Sequence, residues 1–228
     1  MKTYILTATT TAIALGLASC APSGQARSQT PEDKAQQTAP KTSATTAPAK
    51  PIGPLSVPSG TYVMDTYHGY VTFSYSHFGF SRPVLAFRDV DATIHLDAAH
   101  PENSTVNVTI DPDLIDSGVA PFDGHLKDKD FFDVEQFKTI SFKSTKLERL
   151  STETGRLTGD LTIKGITRPV VLDVKLLAAG PHPMKKVPSL GIEAHTMVKR
   201  ADFGLGKYVP YVSNEVEISV SAEFNKTE

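Results

Sequence analysis

LTGDLTIKGITRPVVLDVKL, residues 157–176, decides the fold. Leu157, Gly159, Leu161 and Ile163 fall on one side of a period of two, and Val170, Leu172, Val174 and Leu176 on one side of a second. Side chains alternate faces along an extended chain, so each run is a strand with one apolar and one wet face. In the second run Val171, Asp173 and Lys175 take the opposite face. Lys164-Gly165 between the runs is a turn signal, and it folds them into an antiparallel hairpin.

The same period extends outward in both directions. Val71, Phe73, Tyr75 and His77 share a face, as do Val106, Val108 and Ile110, and Ile140 with Phe142. Ile192, Ala194, Thr196 and Val198 follow, then Val216, Ile218, Val220 and Ala222. Further turns read at Pro101-Glu102-Asn103, Thr154-Gly155 and Ser213-Asn214. Seven or eight half-wet strands predict an all-β sandwich or an up-and-down barrel. Long uninterrupted strands in an open sheet would leave long edges, so a closed antiparallel barrel of about eight strands is expected. A barrel of that size is filled by its own side chains or holds one small ligand, and alternation leaves both open.

One stretch breaks the period. GHLKDKDFFDVEQF, residues 124–137, carries six charged residues and three phenylalanines. It predicts a short helix over 123–130 followed by a loop, with Leu126, Asp130 and Phe131 on one face. A helix and lid segment near 123–133 would cover an open end of the barrel. Phe131, Phe132 and Phe137 then line a cavity mouth or plug the interior as core.

The N-terminal part has a different composition. Lys2 and the small, apolar stretch 4–18 read as a secretory signal, residues 1–19. Its end, Leu17-Ala18-Ser19-Cys20, resembles a bacterial lipobox, and the chain's single cysteine falls where that motif requires it. Cys20 is therefore the expected acylated residue and membrane anchor. Residues 20–58 are mostly Ala, Pro, Ser, Thr, Gln, Lys and Gly, a composition too poor in large apolar side chains to offset ordering entropy. They read as a tether that holds a domain of residues 59–226 away from a membrane, in the cell envelope and facing the periplasm.

The chain has 228 residues and a formal net charge of −2, so no basic surface calls for nucleic acid. One cysteine excludes an internal disulfide framework. No G-x-S-x-G stretch is present, and Asp123 with His125 lacks a partnered nucleophile. The reading is therefore not an enzyme. No two histidines have H-x-H or H-x-x-x-H spacing, and no metal site is expected; His68, His77 and His125 are the trio to consider. Asp116, Asp123, Asp130 and Asp133 read as a solvated face and helix cap. Arg200 and Asp202 read as an ion pair or as a polar group at the barrel mouth.

Four segments together resemble the YceI-like family of polyisoprenoid-binding, lipocalin-like barrels. TYVMDTYHGYVTFSYSHFGFS, 61–81, is similar to the family's Y-x-x-D-x-x-H-S followed by F-x-x-x-H-x-G. IDSGVAPFDGHLKDKDFFDVEQFKTISFKST, 115–145, is similar to D-T-G, R-D-x-H-L, D-F-F-D-V and P-x-I-x-F-x-S in turn. LTGDLTIKGITRPVVLDV, 157–174, is similar to G-x-L-T-I-x-G-x-T-x-P-V, and VKRADFGL, 198–205, to R-x-D-F-G. Phe122 stands where the family has arginine, Gly69 where it has serine, and Lys138 where it has proline.

The resemblance implies a barrel holding a long apolar molecule, a polyprenyl chain or an isoprenoid quinone, with no required cofactor. Candidate ligand-binding residues are His77, Phe78, Phe122, Asp123, His125, Leu126, Phe131, Phe132, Phe137, Phe142, Arg200, Asp202 and Phe203. Storage, transport or protection of the lipid is the expected role. A quinone-presenting accessory of a membrane redox system and an envelope stress scaffold with a filled barrel are the alternatives. Self-association as a homodimer is left open.

Overall fold

The computed structural model describes residues 53–227. The expected signal segment, Cys20 and most of the tether lie outside the described residues. Ten strands and one α-helix follow in order: β1 (Gly60–His77), β2 (Val84–Phe87), β3 (Val90–Leu96), β4 (Thr105–Ile110), β5 (Ile115–Asp116), α1 (Ala120–Lys127), β6 (Ile140–Arg149), β7 (Thr154–Ile163), β8 (Ile166–Pro181), β9 (Pro188–Lys199) and β10 (Val212–Lys226). Eight of them close into an antiparallel barrel in the order β1-β3-β4-β6-β7-β8-β9-β10, and β10 returns to β1. Closure pairs Val71 with Val220 and Phe73 with Ile218, which leaves no free edge along the seam. Short β2 pairs with the second half of β1, and β5 with β2, which together extend the wall beside α1.

The decisive hairpin forms as expected. Ile163 pairs with Ile166 across Lys164 and Gly165, and both turn residues take positive φ, 50° and 70°. That is the primed turn whose twist matches the flanking strands. β3 obeys the same period, with Val90, Ala92, Ile94 and Leu96 buried.

Two expected turns are corrected. Thr154 and Gly155 open β7, and the chain reverses just before them, where Ser151 Oγ accepts from the amides of Glu153 and Thr154. Ser213 and Asn214 lie inside β10, and the reversal falls in the loop before it. Each strand is carried further by its other neighbour, with Thr154 opposite Lys175 of β8 and Val212 opposite His77 of β1, so both dipeptides lie within strands.

The helix is displaced from its expected span. α1 begins at Ala120, with Pro121 in its first turn, and stops at Lys127 because Asp128 is extended. Phe131 is thus off the helix and does not share its face. The amides of Phe132 and Val134 instead fold back onto the carbonyls of Leu126 and Lys127, which satisfies the helix C-terminus.

At the opposite end of the barrel, Val57 is buried and Tyr62 Oη donates to the Pro58 carbonyl at 2.7 Å. The Leu55 amide donates to the Ala98 carbonyl, and Ser56 Oγ to that of Ala179. This last stretch of the expected tether therefore lies against the barrel.

Candidate functional site

The inner faces of the strands do not fill the barrel. Val170, Leu172, Val174 and Leu176 all point inward on β8, yet each is only half-buried. The reason is a cavity of about 340 Å³ at the α1 end and a second of about 200 Å³ toward the other end. Val71, Val108, Phe142, Leu172 and Val220 line both, so the two chambers meet at one belt of apolar side chains. The filled-barrel alternative is thereby corrected.

The lid segment builds one wall of the first chamber. Phe132 is buried, and its ring meets Phe87 at 5.6 Å and Phe73 at 6.4 Å, both edge-on. Phe131 is half-buried; its ring lies 4.8 Å from His125 and 6.3 Å from Tyr208. Adjacent side chains leave the irregular backbone in different directions, so one phenylalanine packs into the wall while its neighbour edges the opening.

Nine of the candidate residues line this chamber: His77, Phe122, His125, Leu126, Phe131, Phe132, Phe142, Arg200 and Phe203. Four do not. Phe78 is half exposed and stacks on Tyr211 at 6.2 Å. Asp123 faces its own loop and accepts from the Ser117 amide at 2.7 Å. Phe137 packs over Gly165 of the β7–β8 turn, and Asp202 is exposed. Tyr75, Thr196, Lys207 and Tyr208 also line the chamber, and sequence reasoning missed them as site residues. Tyr75 and Thr196 stand on inward positions of strands already read; Lys207 and Tyr208 are in a loop and gave no signal.

Arg200 is the chamber's buried cation, only 9% exposed. The expected ion pair with Asp202 is not formed. Instead Nε donates to the Ser213 carbonyl at 2.8 Å, Nη2 to that of Val212 at 2.9 Å, and Nη1 to that of Leu205. Burial pushes its pKa down, opposed by Tyr75, yet a guanidinium remains charged at any ordinary pH. Burial raises the Tyr75 phenol, and the charge of Arg200 pulls it back. The other cation, Lys207, is tied to Asp130, which raises the lysine and lowers the carboxyl.

The acidic residues of the lid region do not form one cluster. Asp116 pairs with Arg88 at 2.7 Å, while Asp123 and Asp130 have the separate partners given above. The described lining of the first chamber contains no carboxylate, serine or cysteine; it is an apolar sleeve whose polar side chains are Tyr75, His77, His125, Thr196, Arg200, Lys207 and Tyr208. The metal trio is not assembled either. His77 and His125 line this chamber, whereas His68 lies beside Asp65 and outside both chambers.

Comparison with known proteins gives the same outline. A family model, the YceI-like domain, matches residues 62–224. A UPF0312 protein of Azotobacter vinelandii is 34% identical over 174 residues, 75% of this chain and 90% of that one. A Campylobacter jejuni YceI structure superposes with a TM-score of 0.61 at 25% identity, covering 67% of this chain and 90% of that one. A Saccharophagus degradans domain described as polyisoprenoid-binding has a TM-score of 0.52 at 12% identity, covering 75% and 100% respectively.

Proposed function

This chain belongs to the YceI-like domain family, and we propose that its barrel holds one long isoprenoid, a polyprenyl chain or isoprenoid quinone, for storage, transport or protection without chemical change. The observation that carries this reading is the pair of apolar chambers meeting at a shared belt. The polyisoprenoid-binding description of the Saccharophagus domain supports the same ligand class. An extended chain can thread both chambers, with its polar head beside Arg200 and Tyr75.

Magnitude favours retention by the walls. Each buried CH₂ contributes about 0.8 kcal/mol, so some twenty carbons would gross about 16 kcal/mol. Association and ordering cost about 4–15 kcal/mol of that. The apolar sleeve alone holds such a chain, and Arg200 sets orientation. Phe122 in the arginine position fits a mouth that relies on contact area more than on a cation beyond Arg200 and Lys207.

Organic extracts of the purified full-length protein, analysed by mass spectrometry, test the reading. A co-purifying isoprenoid is expected; extracts free of isoprenoid, with no uptake when polyprenol is added, overturn it. We further propose that acylated Cys20 anchors the barrel to a membrane facing the periplasm. Cys20→Ala is expected to move the protein from the detergent phase to the soluble fraction, and a wild-type protein without acyl mass contradicts the anchor.

A further inference from the structure

None of the three residues that define the Tyr62-x-x-Asp65-x-x-His68 motif lines either chamber; only Met64 between them does. Register between β1 and β10 slips here: Met64 faces Phe224 and Gly69 faces Ala222, so residues 65–68 bulge opposite Glu223. Bulges of this kind re-aim side chains. The Asp65 side chain is 4% exposed, and its Oδ1 accepts from the Tyr67 amide at 2.9 Å and lies 3.4 Å from His68 Nδ1. Its Oδ2 is held by the Lys185 ammonium and lies 3.4 Å from Asn225 Nδ2. Across the seam, Glu223 Oε2 is buried and makes no hydrogen bond.

His182, from the β8–β9 connection, faces that oxygen. Its Nδ1 accepts from the amides of Met184 at 3.2 Å and Lys185 at 3.1 Å. The proton of the neutral ring therefore sits on Nε2, which lies 3.5 Å from Glu223 Oε2. This ring cannot offer Nε2 as a ligand, but it can orient the carboxylate.

We propose that Asp65, His68 and Glu223 bind a divalent transition cation of the zinc class, with His182 as a positioning residue. The three donor atoms all lie within 4.8 Å of one another. Zinc–donor bonds of about 2.0–2.2 Å at tetrahedral angles need donors about 3.3–3.6 Å apart. The Asp65–His68 pair already meets that spacing, and Glu223 has an oxygen with an unmet need. One imidazole and two carboxylates suit zinc better than calcium, which takes six or more oxygens. The fourth position is left to water, since His68 is 55% exposed.

Lys185 is the competing cation. Its ammonium neutralises Asp65 while the metal is absent, and its side chain, 43% exposed, swings into water when the metal enters. None of the three ligands lines either chamber, so the site stands independently of the isoprenoid reading.

Calorimetric titration of Zn²⁺ into chelator-treated full-length protein tests the proposal. One saturable equivalent is expected, together with a rise in melting temperature. His68→Ala and Glu223→Gln should each weaken binding about tenfold or more. Both side chains are more than two-fifths exposed, so these variants keep the fold. His95→Ala, whose ring lies on β3 beside Thr61, should bind as wild type does. Lys185→Met should bind more tightly. Absence of saturable binding, wild-type affinity in both ligand variants, or weaker binding by Lys185→Met overturns the site.

Discussion

Two buried charges in this protein are stabilised by different means. Arg200 spends its donors on three backbone carbonyls, whereas Asp65 takes an ammonium, a backbone amide and a histidine. The Lys185 contact is the largest influence on Asp65, and it holds the carboxyl well below the usual range against the opposing effect of burial. Because the folded pKa lies below the unfolded one, the unfolded chain takes up the proton first. The stability from this pair is therefore present above about pH 4 and drains as pH falls through the folded pKa. In chelator, Asp65→Asn is expected to cost about 1–3 kcal/mol at neutral pH, measured by urea unfolding, and to flatten the acid limb of the stability profile. An unchanged acid limb would contradict the pairing. Phe131 and Phe132 are expected to separate in the same way. Phe132→Ala should cost about 3–5 kcal/mol in ligand-stripped protein, as truncation of a packed ring does. Phe131→Ala should leave the stripped protein nearly as stable and release co-purified lipid. Equal losses from both variants would make both rings core. The sequence exposed these phenylalanines as anomalous, but it could not say which was which, because a segment without a period carries no face.

Among elements, the strands were legible and the connections were not. Every inward face named from alternation points into the barrel, since a half-buried strand has only one way to satisfy both solvents. β3 was not read although its seven residues alternate, and β2 and β5 escaped notice because four and two residues are too few to establish a period. α1 was placed three residues late, because its start lacks a capping side chain and its end is set by tertiary hydrogen bonds. Gly159 shows what the pattern hides. It occupies an inward position on β7, and a Cβ there would lie 2.4 Å from the Phe142 ring and 2.6 Å from the Lys143 carbonyl oxygen. The ring of a belt residue thus occupies the space that a side chain at 159 would take. Gly159→Ala is expected to destabilise by about 1–3 kcal/mol through overpacking and to push Phe142 into the waist between the chambers. A thermal melt and lipid content check this; a variant as stable and as loaded as wild type would contradict it.

For the whole molecule, closure follows from long half-wet strands, but the contents of the closed barrel do not. Alternation allowed both a packed interior and a hollow one. The difference lies in which inward side chains are small enough, and far enough apart, to leave space, and Gly159 beside Phe142 is one such choice. The site residues drawn from the family resemblance cluster at the α1 end. The second chamber is built from Leu55, Leu147, Ile192 and their neighbours, which alternation marked at most as inward strand positions and not as site residues. The central claim is that both chambers form one sleeve for one long chain. Leu172 lines both chambers and faces space rather than a packed neighbour, so Leu172→Trp should block the sleeve at little cost to the fold. Native mass spectrometry of the two proteins, purified side by side, is the most direct measurement. The account predicts one long isoprenoid per wild-type chain and its loss from the variant, with melting temperatures a few degrees apart. An empty wild type that takes up no polyprenol, or the same long ligand retained by Leu172→Trp, would contradict it.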